Sequence, residues 1–235
     1  MNTTVNDRPL FSRPMKMADL ADGNYLLLGV LSRVGIRFGF GEATVEEVCT
    51  RYGVDPDTFL LICNVYAFDG YLPSGDVLRR ADLRNIVKYL HRSHAYYMDN
   101  ALAGLADDIE RLIAPCDDRR KQVIRKFFTD YKEELARHFA YEENIVFPYV
   151  DAVLNHLEDK NFTITQYEEN HTNVEEKLSD LKRIVMKYLP AECDSQVTNR
   201  VLLQIHLLEK DLEKHTLIED DILVPIVNNL EKNGR

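Results

Sequence analysis

Residues 134–148 read E-L-A-R-H-F-A-Y-E-E-N-I-V-F-P, and residues 211–225 read D-L-E-K-H-T-L-I-E-D-D-I-L-V-P. Superposed on their histidines, the two phrases share an acid at −4, Leu at −3, a basic residue at −1, Glu at +4, an acid at +5, Ile at +7 and Pro at +10. On a helix, residues four apart share a face and stand about 6 Å apart along the axis. His138 with Glu142, and His215 with Glu219, thus each offer an imidazole and a carboxylate to one point in space. The offsets −3, 0, +4 and +7 trace the stripe that faces a core. Leu135, His138, Glu142 and Ile145 are therefore expected to point one way, as are Leu212, His215, Glu219 and Ile222. A Glu on such a stripe is costly unless it is paired or bound to metal. One His–Glu pair at this spacing is a common helix-face salt bridge. Two of them on core stripes favour a metal site built from both. Glu134 and Asp211, one turn before each His, are candidates to accept the free ring N–H, with plain solvated surface as the alternative. Glu143 and Asp220 fall one residue off the stripe and are expected in solvent.

Around the repeat, the pattern is helical from about residue 80 onward. Four long segments are expected, over about 77–113, 117–156, 163–188 and 194–230, with Ala114-Pro115 and Leu189-Pro190 closing the first and third. Breaks this short favour antiparallel neighbours, so the predicted fold is all-α, an up-down-up-down four-helix bundle. Pro148 and Pro225 each remove a helix hydrogen bond and should kink the helix or end it within a turn or two. Residues 1–75 read as a small helical domain. Leu26 to Leu31 make a short apolar helix broken by Gly35, Gly39 and Gly41. Thr44-Val45-Glu46-Glu47 is a capping box opening a second helix. Asp55-Pro56 opens a third, through to about Phe68. Tyr71-Leu72-Pro73-Ser74-Gly75 is the linker, so the bundle domain is taken as residues 76–235.

The 235 residues carry a net charge of −10, which opposes nucleic acid or an anionic membrane as partner. Residues 46–58 have the cadence of a helix-turn-helix. However, residues 1–75 hold six Lys or Arg against nine Asp or Glu, the wrong sign for phosphate contacts. No apolar run approaches the roughly 20 residues that span a bilayer, and residues 1–13 carry no apolar signal core. The four cysteines, Cys49, Cys63, Cys116 and Cys193, have no C-x-x-C spacing. They read as ordinary thiols in a reducing cytoplasm rather than a thiolate metal site or redox dithiol.

The other helices add histidines. His91 and His94 stand three apart on the first, and His171 lies in the third, with Glu175 four residues on. His91 and His94 precede Pro115 by 24 and 21 residues, and His138 follows it by 23. His171 precedes Pro190 by 19, and His215 follows it by 25. In antiparallel hairpins these positions come roughly level, so each helix supplies a His at one depth. His206 is half a turn out of phase with His215 and should face away, and His156 closes the second segment. All-oxygen ligands would suit Ca or Mg, and Cys-rich ligands structural Zn. A His-rich set with two bridging carboxylates inside a four-helix bundle suits a non-haem di-iron centre. Manganese and zinc accept the same ligand types.

The H-x-x-x-E phrase on two helices, with further His on the other two, resembles the hemerythrin-like domain. The endings E-E-x-I-x-F-P and E-D-x-I-x-V-P are similar to those of its bacterial members. The N-terminal stretch resembles the domain that precedes the bundle in the repair-of-iron-centres proteins. There a G-I-D-F-C-C-G-G phrase precedes a T-L-E-E-A-C helix. This chain has Gly35-Ile36-Arg37-Phe38-Gly39-Phe40-Gly41, then Thr44-Val45-Glu46-Glu47-Val48-Cys49. The resemblance implies His138 and His215 as ligands, Glu142 and Glu219 as bridging carboxylates, and His171 with His94 or His91 as further ligands. The implied cofactor is a di-iron centre with oxo and carboxylate bridges, and the implied ligand is O2 or NO. The implied role is repair of damaged iron–sulfur clusters or NO handling under nitrosative and oxidative stress, in the cytoplasm, with iron–sulfur proteins as partners. A reversible O2 or NO sensor or carrier is the alternative. Gly39 and Phe40 stand where that family has its cysteine pair, which removes any thiol step there. The small domain is the candidate for self-association as a homodimer.

Overall fold

The computed structural model describes residues 4–5, 8–157, 162–170 and 176–233. Apart from a two-residue antiparallel pairing of β1 (Thr4–Val5) with β2 (Arg8–Pro9), the regular structure among these residues is helical. Five short helices come first: α1 (Met17–Asp22), α2 (Leu27–Val34), α3 (Val45–Tyr52), α4 (Pro56–Ala67) and α5 (Gly75–Arg80). They are followed by α6 (Leu83–Tyr96), α7 (Leu102–Ile113), α8 (Asp118–Tyr141), α9 (Phe147–Leu154), α10 (Ile164–Asn170), α11 (Glu176–Tyr188), α12 (Ser195–Ile218) and α13 (Val224–Asn233). The architecture is thus the all-α helical bundle expected. The chain forms two compact units. One is made of Met1–Arg92, Tyr149–Glu169 and Lys214–Arg235, and the other of Ser93–Pro148 and Asn170–Glu213.

In the first unit, local chemistry sets the helix ends. The Thr44 side chain accepts from Glu47 N–H, and the Glu47 carboxylate accepts from Thr44 N–H at 2.7 Å, so the expected capping box opens α3. Gly53, at φ 64°, closes it in the left-handed conformation that costs glycine little. Asp55 accepts from Thr58 N–H at 2.7 Å and starts α4, with Pro56 in the first turn. Met17, Leu20, Leu27, Leu31, Val48 and Phe59 are buried around these helices. Arg33 is buried among aromatics, donating to the hydroxyls of Tyr66 and Tyr89 at 3.0 Å each. One expected segment is divided here: α5 and α6 are separate. Ala81 is extended, and Asp82 Oδ1 accepts from Arg84 N–H, so a new helix starts where 77–113 had read as continuous.

The second unit holds the bundle core. Leu105, Ile109 and Leu112 come from α7, and Ile124, Phe128, Tyr131 and Leu135 from α8. Leu178, Leu181 and Val185 come from α11, and Val201, Ile205, Leu208 and Leu212 from α12. The spacings of three and four put one apolar face of each helix inward, and each fully buried Leu or Ile stabilises by about 1.5–3 kcal/mol. Asp117 and Asp194 cap α8 and α12, accepting backbone N–H bonds from Arg120 and from Gln196 and Val197. Asp108, otherwise buried, is held by a two-pronged bond from Arg200, at 2.7 Å on each oxygen, and by Gln204 at 3.1 Å.

Candidate metal centre

Three five-residue π turns interrupt the long helices, and each sits beside a candidate ligand. Tyr97–Ala101 follows α6 just after His94. Glu142–Val146 follows α8, and Glu219–Leu223 follows α12, each opening on its Glu. In the last two the amide of the next residue, Phe147 or Val224, donates back five residues to the carbonyl of Glu142 or Glu219. Pro148 and Pro225 then stand second in α9 and α13. The wide turn lies where proline would have broken the four-residue ladder, so the helices continue past the prolines. The extra residue also rotates the downstream side chains about the helix axis. Ile145, expected on the core stripe, is 44% exposed, and Val146 is buried instead. Ile222 and Leu223 are both buried.

Glu142 has no solvent exposure, and each of its oxygens faces an imidazole. Oε2 lies 3.2 Å from His94 Nε2, and Oε1 lies 3.0 Å from His138 Nε2. The other face of His94 is also fixed. Its Nδ1 lies 2.7 Å from Glu143 Oε1, and its ring stacks on Phe139 with centroids 4.0 Å apart. Glu143, which helical phase had put in solvent, is therefore the carboxylate that orients His94. Glu134 takes Lys177 instead, and Asp211 Oδ1 accepts from the buried Tyr97 hydroxyl at 3.0 Å. In the repeat, His215 Nε2 lies 3.2 Å from Glu219 Oε1, with Glu219 again fully buried. His94 and Glu142 thus pair within one unit and His215 and Glu219 within the other, and all four residues are buried. Two buried carboxylates need compensating positive charge. Imidazole nitrogens and carboxylate oxygens at this spacing form a donor set that could hold a metal ion and that fits first-row transition metals.

The remaining candidates are placed as follows. His91 is exposed on α6, three residues before buried His94. His138 is nearly buried. His171 and Glu175 lie outside the described residues. His206 is exposed, as its phase required, and His156 adopts a left-handed conformation at φ 56°. Glu143 was missed because α-helical phase puts it off the stripe. The available signal was the acid that comes directly after the Glu in both phrases, together with the proline six residues after that Glu.

Helices that bury paired His and Glu side chains define a cation-binding helical bundle. The family model of the hemerythrin HHE cation-binding domain matches residues 85–227, and the chain belongs to that family. Domains of this family bind metal cations, and small ligands such as O2, at the metal site. No curated protein matches the chain. Among the described residues, no helix is long and apolar enough to cross a membrane.

Proposed function

We propose that the chain is a non-haem di-iron protein of the nitrosative and oxidative stress response, acting in the cytoplasm on NO or on damaged iron–sulfur clusters. The observation that carries the metal reading is the burial of two His–Glu sets, His94 and His138 on Glu142 and His215 on Glu219, with both carboxylates fully buried. In this reading Glu142, Glu219, His94, His138, His215 and His171 would hold two irons. His91 is the weaker first-helix candidate because it is exposed. Bound iron supplies an open position for a diatomic ligand and one-electron chemistry. The protein's own residues do the rest. Glu143 holds the His94 Nδ1–H and fixes its tautomer. Phe139 and Phe147 cover the His94 ring and keep water from that side. The helical domain of residues 1–75 carries Gly39 and Phe40 where the repair proteins have cysteines, so delivery of iron by a thiol at that place is not part of the proposal.

Iron-loaded protein mixed anaerobically with NO, and separately with an apo iron–sulfur protein, tests the function. Consumption of NO beyond one equivalent per site, or transfer of iron to the apo protein, supports it. Stoichiometric reversible binding of NO or O2 with no turnover and no iron transfer supports the second reading, a sensor or carrier. The Gly39-Phe40 replacement favours that second reading.

A further inference from the structure

The sequence scatters its cysteines, but the fold brings two of them together. Cys116, between α7 and α8, and Cys193, between α11 and α12, have sulfurs 3.8 Å apart. A disulfide bond is about 2.05 Å long, so closure requires an approach of about 1.8 Å. Both residues hang on hydrogen-bonded turns rather than helix interiors. Cys116 N–H donates to Ile113 O at 2.9 Å, and Cys193 N–H donates to Pro190 O at 3.2 Å. Cys193 is partly exposed and Cys116 buried, so one sulfur can meet a reagent while the other waits behind it. Cys49 and Cys63 are buried within α3 and α4 and have no such access.

We propose that Cys116 and Cys193 form a thiol–disulfide exchange site, which small disulfides of the glutathione class oxidise to an intrachain disulfide. The Cys193 thiolate attacks one sulfur of the small disulfide. The new S–S bond forms, the old one breaks, and a small thiolate leaves and takes up a proton. Cys116, deprotonated by water, then attacks Cys193 Sγ. The Cys116–Cys193 bond forms, the mixed disulfide breaks, and a second small thiolate leaves. In total the two protein thiols lose two protons and two electrons, and the small disulfide gains them as two thiols. The groups around Cys193 set its speed. Burial, the Cys116 thiol and the Glu192 carboxylate push the Cys193 thiol up to about 11, with Arg120 opposing them. Little thiolate exists at neutral pH, so the attack should quicken about tenfold per pH unit between about 7 and 10. This site is independent of the metal reading.

The test uses the full chain, reduced and then incubated with oxidised glutathione, with free thiols counted and non-reduced peptides mapped by mass. The expected result is a fall from four free thiols to two, with the Cys116 and Cys193 peptides joined. Cys116→Ser should retain one stable glutathione adduct on Cys193, and Cys193→Ser should keep its thiols free; circular dichroism checks that both variants are folded. Four free thiols in the folded chain, under conditions where the urea-unfolded chain reacts, would overturn the proposal. So would a wild-type chain that keeps glutathione on Cys193 without resolving it.

Discussion

Replacing Glu143 separates the structure's account of the centre from the one that helical phase alone suggests. Its Oε1 lies 2.7 Å from His94 Nδ1, and its side chain is 27% exposed. A carboxylate only accepts, so that bond requires a proton on His94 Nδ1, while His94 Nε2 lies 3.2 Å from Glu142 Oε2. Removing an outer carboxylate of this kind costs roughly 10–100-fold in metal affinity, or about 1.4–2.7 kcal/mol. Partial exposure of Glu143 puts Glu143→Gln toward the lower end, because water and the amide oxygen can still accept the proton. Glu143→Ala belongs toward the upper end. Glu134→Gln, at the position that phase had favoured, removes only a bond to Lys177 and should leave affinity within about twofold. Competition titration of Fe(II) or Co(II) against a chelator measures all three. Equal affinities for wild type and Glu143→Ala, or a larger loss in Glu134→Gln, would refute the role given to Glu143.

Three further outcomes are expected. Val146→Ala should destabilise by roughly 1–3 kcal/mol and Ile145→Ala by less than about 0.5 kcal/mol, because the π turn buries the first and exposes the second; urea unfolding reads the difference, and the reverse order would contradict the turn. The Arg200 hydrogen bonds hold the Asp108 carboxyl below the usual carboxylate range, so its stabilisation is present above about pH 4 and is lost as pH falls through the lowered folded value; the Tm gap between wild type and Asp108→Asn should be full near about pH 6 and shrink below about pH 4. Thr44→Ala removes one half of the capping box and should cost about 0.5–2 kcal/mol by the same unfolding assay, with no change in metal affinity.

Much of the fold was legible because helix period and capping chemistry are local. The His138 and His215 phrases named the two helices that carry His–Glu pairs. Thr44-Val45-Glu46-Glu47 and Asp55-Pro56 placed the starts of α3 and α4. The short α1 passed unread, since six residues with one apolar face carry little period. The π turns were also hidden. A period of 3.6 has no means of writing a five-residue turn, so Ile145 and Glu143 were assigned the wrong faces. Pro148 and Pro225, ten residues after each His, were the visible trace of that turn. The choice between His91 and His94 depends on which of two near-equivalent phases the core takes, and burial of His94 is a tertiary fact. Cys116 and Cys193 lie 77 residues apart, a separation at which C-x-x-C spacing says nothing. Both stand just after the prolines that end the first and third segments, which was the available signal.

The function proposed for the helical bundle depends on a bound metal. Mass spectrometry of the purified full chain, with its near-ultraviolet and visible spectrum, tests that most directly. About two irons per chain with oxo-bridged di-iron absorption is the predicted result, and Glu142→Ala combined with Glu219→Ala should abolish it while the protein stays helical. No iron after growth in iron-rich medium, a single tightly held zinc, or full metal content in that double variant would contradict it.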